Sequence, residues 1–281
     1  MEERRKMCIK NKTKKIMMAL IGTAIFATGC QGATNADETS KIEVNITTTG
    51  KTEVPQETTT QAVQEETTDN SIPVSSQFDL NATRVDVPED ALIPGYDLSD
   101  AVFVGDSRTE GLTVYNVLTT STVLATRGLM ASSVLNEQFV DLGNGSKGTV
   151  VDYLKTHDFD KIYIMFGINE LGCNINTFKT SYSMFVDEIR EANPDIKIYA
   201  ESIIPMVSDR TDDVYNNEII ATFNQALKEV CGEKNIQYLN VSAALIGDDG
   251  TLPEKYSRDG IHLNVEGLKR FVNYIIMSTY M

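Results

Sequence analysis

A single serine closes the apolar run in "AVFVGDSRTEGL", residues 101–112. Ser107 follows Gly105 and Asp106 directly, where a strand gives way to a helix. Read as a turn, the segment needs only a cap for the next helix, and Asp106 or Ser107 can supply it. Read as chemistry, it presents a hydroxyl that becomes a nucleophile once a base takes its proton. The chain holds two histidines, His157 and His262. His157 lies in the charged stretch "KTHDFDK", before a strand and so at the wrong end of a sheet; it reads as a surface residue. His262 lies in "SRDGIHLN", ahead of the final helix, with Asp259 three residues earlier. One turn of chain brings that carboxylate to the imidazole, where it fixes the tautomer and stabilises the imidazolium. Asn169, in "GINE", has a side-chain N–H to donate, and Gly128 lets a backbone N–H approach a bound group closely. Together with the Ser107 N–H, these are donors for a tetrahedral oxyanion. A cap alone accounts for Ser107 but leaves Asn169 and the Asp259/His262 pair as coincidences.

These residues are far apart in sequence, so the fold must bring them to one edge. From about residue 97 strands and helices alternate. "AVFV" (101–104), "KIYIMFG" (161–167) and "KIYAESI" (197–203) are continuous apolar runs, as expected for strands covered on both faces. "STVLAT" (121–126) and "IQYLNV" (236–241) are weaker strand candidates. Phe178, Tyr182, Phe185, Val186 and Ile189 share one helical face. So do Ile219, Ile220, Phe223, Leu227 and Val230, with Gly232 just beyond as the expected C-cap. Val265, Leu268, Phe271, Val272, Ile275 and Ile276 mark the last helix. Alternation over about 185 residues implies one α/β domain with a parallel sheet, long enough for a substantial core. In open α/β sheets, sites form where strands end and helices begin. The segments carrying Ser107, Gly128, Asn169 and His262 all occupy such positions.

Those four residues occur in the order Ser-Gly-Asn-His. Each stands in the setting of a block of the SGNH family, the GDSL-like esterases, which the chain from about 97 to 281 resembles. "GDS" matches the first block, the glycine after the second strand the second, "GINE" the third and "DGIH" the fifth. The resemblance implies a flavodoxin-like three-layer α/β/α sandwich with a central parallel sheet, Ser–Asp–His acyl transfer, and neither metal nor other cofactor. By the match, Ser107 is the nucleophile, His262 the base and Asp259 its orienter. Ser107, Gly128 and Asn169 form the oxyanion hole. Two positions depart from the family pattern. Arg108 replaces the leucine of "GDSL", and Glu170 follows Asn169 where aspartate is usual. Arg108 is a candidate substrate contact or, more plainly, a first-turn helix residue paired with an acidic neighbour. Glu170 lacks an evident partner for a glycosidase-type carboxylate pair. Asp106 reads as structural, through turn and cap hydrogen bonds.

The N-terminal third reads differently. Residues 1–15 carry seven Lys or Arg, and "IMMALIGTAIFATGC" follows. A basic segment before an apolar run of about 12 residues is an export signal, too short to span a bilayer comfortably. Its end, Ala27-Thr28-Gly29-Cys30, resembles the lipobox of bacterial lipoproteins. That resemblance implies cleavage before Cys30 and a diacylglycerol on its thiol. The expected organisation is a signal over 1–29, a Thr/Glu-rich tether over 30–96 and a catalytic domain over 97–281. The tether holds few large apolar residues, so burial cannot offset its ordering entropy. As a coil of about 65 residues it would typically reach about 45 Å. With the seven basic and two acidic residues of 1–29 set aside, the remainder has 18 basic and 38 acidic residues, a net charge of −20. Such a surface argues against nucleic acid or anionic headgroups as partners. Cys8 lies in the signal, and Cys173 and Cys231 read as small buried apolar residues more readily than as a pair. No Cys/His spacing resembles a metal site.

The expectation is a lipid-anchored, extracytoplasmic serine esterase acting on acetyl or other short acyl esters, with acylated carbohydrate as substrate. The same residues suit an O-acyltransferase, because water and a sugar hydroxyl compete for one acyl-enzyme. A non-catalytic wall-binding lipoprotein is the third class, and the retention of every catalytic group argues against it.

Overall fold

The computed structural model describes residues 84–281 apart from Asn144 and Thr211. The expected signal, the Cys30 lipid site and tether residues 30–83 lie outside the described residues. In chain order the elements are β1 (Ala101–Gly105), α1 (Ser107–Val114), β2 (Thr122–Ala125), β3 (Val140–Asp141), β4 (Lys147–Gly148), α2 (Val150–Leu154) and β5 (Lys161–Met165). Then come α3 (Ile175–Ala192), β6 (Lys197–Glu201), α4 (Asn217–Lys234), β7 (Gln237–Leu239) and α5 (Val265–Thr279). Two 3-10 turns, Val241–Ala244 and Glu254–Tyr256, lie between β7 and α5.

The five apolar runs become one parallel sheet in the order β2-β1-β5-β6-β7. Counting only these strands, the order is 2-1-3-4-5, the flavodoxin-like arrangement. Parallel neighbours need crossovers that lie on the sheet faces, so both faces are covered and both sets of alternating side chains are apolar. Val102, Val104, Ile162, Ile164 and Phe166 pack with Phe178, Tyr182 and Phe185 of α3 and Phe223 and Leu227 of α4. Phe103, Tyr163, Met165 and Tyr199 pack with Leu112 of α1 and Leu268, Phe271 and Ile275 of α5. Phe103, Tyr163 and Tyr199 stack across three adjacent strands with centroids 4.9 Å apart at each step. Fully burying such a ring stabilises the fold by about 1.5–3 kcal/mol. The result is the three-layer α/β/α sandwich.

Polar caps start the helices at the strand ends. Asp106 accepts the Arg108 N–H for α1, Asn174 accepts the Asn176 and Thr177 N–H groups for α3, and Asn216 and Asn264 cap α4 and α5. Each replaces a hydrogen bond that the first helical turn lacks. α4 does not stop at Gly232. It continues to Lys234, and Asn235 takes the left-handed cap at φ 50°. Asparagine tolerates that conformation, and the bonds from Asn235 N–H to Gly232 O and from Ile236 N–H to Cys231 O close the helix there. Cys231 is a buried free thiol, so it does not pair with Cys173.

Residues 84–96, assigned by composition to the tether, lie on the domain. Arg270 Nη1 donates to Val87 O, Asn273 Nδ2 donates to Pro88 O and Ala91 O, and Asn273 Oδ1 accepts the Ile93 N–H. Val87 is buried, and so are both α5 side chains. Leu92, Ile93 and Tyr96 pack against the core beneath α5, and these backbone bonds hold the strap in place, although it forms no helix or strand whose period would mark it in the sequence.

Candidate active site

Ser107, Gly128, Asn169 and His262 all follow strands or precede helices at one end of the sheet, and the structure brings their segments together. Ser107 Oγ lies 2.9 Å from His262 Nε2. On the other side of the ring, His262 Nδ1 lies 2.8 Å from Asp259 Oδ2 and 3.1 Å from Oδ1. With the Nδ1–H donated to Asp259, Nε2 is left to accept the Ser107 proton. The loop that carries the pair is closed on itself. Asp259 Oδ1 accepts the N–H groups of Ile261 and His262, and Ser257 Oγ accepts the Gly260 N–H and donates to His262 O. Gly260 has φ +89°, and a Cβ there would stand 2.8 Å from Arg210 Cγ, so the turn between acid and base requires glycine.

Asp259 is held well below the usual carboxylate range. Burial opposes this, but it is outweighed by the His262 N–H and by the Arg258 and His262 side chains. Asp259 therefore remains an anion beside the imidazole throughout the neutral range.

Gly128 is exposed, with φ +75° and open space where a side chain would be. Nothing among the described residues accepts its N–H or that of Ser107. Asn169 is more constrained. Its Nδ2 donates to Asp106 Oδ2 at 3.2 Å and to Leu129 O at 3.3 Å. Both bonds are long, and the second is the one an incoming oxyanion can replace. Asp106 is buried, capping α1 through Oδ1 while holding Asn169 through Oδ2. Burial pushes its carboxyl up to about 6, against the Arg108 N–H and the charges of Arg108 and His262.

The two departures from the family pattern are both buried. Arg108, a candidate substrate contact or ion-paired first-turn residue in the sequence, is 3% exposed. Its Nη1 donates to Ile204 O at 2.6 Å, while Nε and Nη2 are buried and find no partner among the described residues. Burial pushes this guanidinium down to about 10, against Asp106 and Asp259. Glu170 is 2% exposed and accepts the Ala131 N–H through Oε1 at 2.6 Å. Burial, aided by nearby Asp106, pushes its carboxyl up to about 8. It braces the turn that follows Gly128. Arg127 is exposed and pairs with Glu110 at 3.2 Å, and His157 is exposed and stacked on Tyr153 at 3.8 Å. Sequence reasoning overlooked Arg258, which donates to Asp259 Oδ2 at 3.0 Å. Its only signal was its place beside the aspartate. Among the described residues no group of three His, Cys, Asp or Glu side chains is placed to hold a metal.

The arrangement can activate a hydroxyl, hold an imidazolium and offer N–H donors to an oxyanion. The model of the GDSL-like Lipase/Acylhydrolase family matches residues 103–270. The chain belongs to that family. As a GDSL-like acylhydrolase it is an acyl-ester hydrolase, and the matched span runs from β1 into α5. Similar solved structures include a Streptococcus pneumonia protein described in connection with platelet activating factor, with 22% identity, a TM-score of 0.50, and coverage of 63% of this chain and 81% of that one. A GDSL-like lipase from Bacteroides thetaiotaomicron is 16% identical over 66% of this chain and 91% of its own, with a TM-score of 0.48. A carbohydrate esterase family 3 protein from Talaromyces cellulolyticus is 18% identical over 62% and 93%, with a TM-score of 0.45. At 22% identity the likeness of the Streptococcus pneumonia protein to this GDSL-like acylhydrolase is one of fold alone. Comparison with curated proteins finds no match.

Proposed function

We propose that the protein is a serine esterase that removes acetyl or other short acyl groups from carbohydrate through a Ser107–His262–Asp259 triad. The observation that carries this reading is the unbroken series Ser107 Oγ, His262 Nε2 at 2.9 Å and Asp259 Oδ2 at 2.8 Å from Nδ1. Ser107 Oγ attacks the ester carbonyl carbon while its proton passes to His262 Nε2. The oxyanion is met by the N–H groups of Ser107 and Gly128 and by Asn169 Nδ2, which gives up its long bond to Leu129 O. The intermediate collapses, the bond to the sugar oxygen breaks, and the imidazolium returns its proton to that oxygen. Water then attacks the acyl-enzyme by the same route and releases the carboxylic acid. Asp259 stays ionised throughout and holds the ring.

The carbohydrate substrate rests on the export signal and lipobox-like Cys30, which suit a protein working on glycan outside the membrane. Labelling with a fluorophosphonate, followed by a panel of acylated sugars with and without sugar acceptors, tests the reading. Free acid released from an acetylated sugar is expected. Product that forms only with an acceptor would make it an acyltransferase, and a protein that the probe leaves unlabelled would be a binding module. For the anchor, Cys30→Ala is expected to move the protein from the membrane to the medium. An unchanged membrane fraction would mean that the apolar segment itself holds the chain.

A further inference from the structure

A cation is attached to the carboxylate that serves His262. Arg258 Nη2 donates to Asp259 Oδ2 at 3.0 Å, and that same oxygen lies 2.8 Å from His262 Nδ1. Arg258 Nη1 donates to Tyr115 Oη at 3.2 Å, and the Arg258 N–H donates to His262 O at 2.9 Å. The guanidinium therefore spans from Asp259 to Tyr115, the residue that ends the helix begun by Ser107. Its side chain is 55% exposed. Exposed ion pairs contribute little to stability, so stability does not account for this placement.

Resting on the reading of His262 as the base, we propose that Arg258 is a positioning residue that shares Asp259 with His262 and thereby sets the acid limit of the reaction. The imidazolium that forms when Ser107 is deprotonated faces a carboxylate already partly neutralised by Arg258. The charged ring is therefore held less firmly than by an unshared aspartate. The other groups facing the pair are Asp106 and Arg108 at the start of α1, and Arg210, whose side chain stands over Gly260. Asp106 favours the imidazolium, while the two arginines oppose it. All three remain when Arg258 is changed, so their contributions cancel in the comparison.

The test is the pH dependence of kcat/KM with p-nitrophenyl acetate on the full-length protein. Arg258→Gln and Arg258→Met are both expected to move the acid limb to higher pH by about 0.5–1 unit, the effect of one charge a few ångströms away at a partly solvated site. Arg258→Lys keeps the charge and is expected to keep the limb near that of the wild type. A limb that stays in place in both neutral variants, or that moves equally in Arg258→Lys, overturns the proposal. A purely structural role would lower the plateau and leave the limb unmoved. An active His262→Ala protein would instead overturn the triad reading beneath it, so the two failures are distinct.

Discussion

Ser107 and His262 handle one proton between them, so removing either removes the same step. Ser107→Ala and His262→Ala are each expected to abolish ester cleavage, and the double variant to be no slower than the singles. Additive losses in steady-state rates would show that the two act separately. Asp259→Asn keeps the shape but offers an amide to Nδ1, favouring the wrong tautomer, and is expected to be severe. Activity at the wild-type level in that variant would assign the orienting role elsewhere. Asn169 differs from these because its amide is already engaged with Asp106 and Leu129. A donor that meets the oxyanion only as charge develops acts on the transition state, so its loss lowers kcat more than it raises KM. Asn169→Ala is expected to lose about 10²–10³ in kcat and still be labelled slowly by a fluorophosphonate. A large rise in KM at constant kcat would make Asn169 a substrate-binding residue instead.

The five sheet strands and α3, α4 and α5 were readable because burial on both faces demands continuous apolar runs, and packing on one face demands the 3.6-residue stripe; β3, β4 and α2 are too short to show either pattern. The segments that bring Ser107, Gly128, Asn169 and His262 together were readable for the same reason, since every one is a strand end or a helix start. Contacts that depend on which way a charged side chain turns were not readable. Arg108, read as a substrate contact or an ion-paired first-turn residue, instead turns inward to Ile204 O, and Arg258 was passed over beside the aspartate it binds. The end of α4 slipped past Gly232 because Asn235 can supply the same left-handed backbone. Glu170 shows what an inward-turned carboxyl does to its element. Its folded value of about 8 lies above the ordinary 4.5, so between those values the folded protein holds a proton that the unfolded chain has lost. Stability therefore falls as pH rises through that window, by up to about 1.4 kcal/mol per unit. Asp106 acts in the same direction up to about 6, whereas Asp259 acts oppositely and only below its ordinary 3.8. Glu170→Gln keeps an acceptor for the Ala131 N–H and cannot ionise. It is expected to narrow the gap in Tm between pH 5 and pH 8, and an unchanged gap would place the loss elsewhere.

Across the whole molecule, the strap joins the two ends of the described chain. The four bonds it makes through Arg270 and Asn273 link side chains of α5 to backbone of residues 87–93. Such bonds contribute about 0.5–1.5 kcal/mol each. A chain beginning at residue 97 is therefore expected to melt well below one beginning at residue 84, and equal melting temperatures would reduce the strap to decoration. Tyr256, which bonds to Glu89 of the strap, lies three residues before Asp259, while α5 begins three residues after His262. The same residues carry a mechanical meaning. Tension drawn on the chain ahead of Arg84 meets the Val85 N–H bond to Ala243 O and then the side-chain anchors of α5, and reaches β1 only after those yield. The sheet is thereby insulated from the pull, while the loop that holds acid and base directly follows Tyr256, one of the side chains bonded to the strap. Stretching the protein from its N-terminal side is expected to extinguish esterase turnover at forces that leave the sheet unruptured, an order of failure that a fold pulled directly through β1 would reverse.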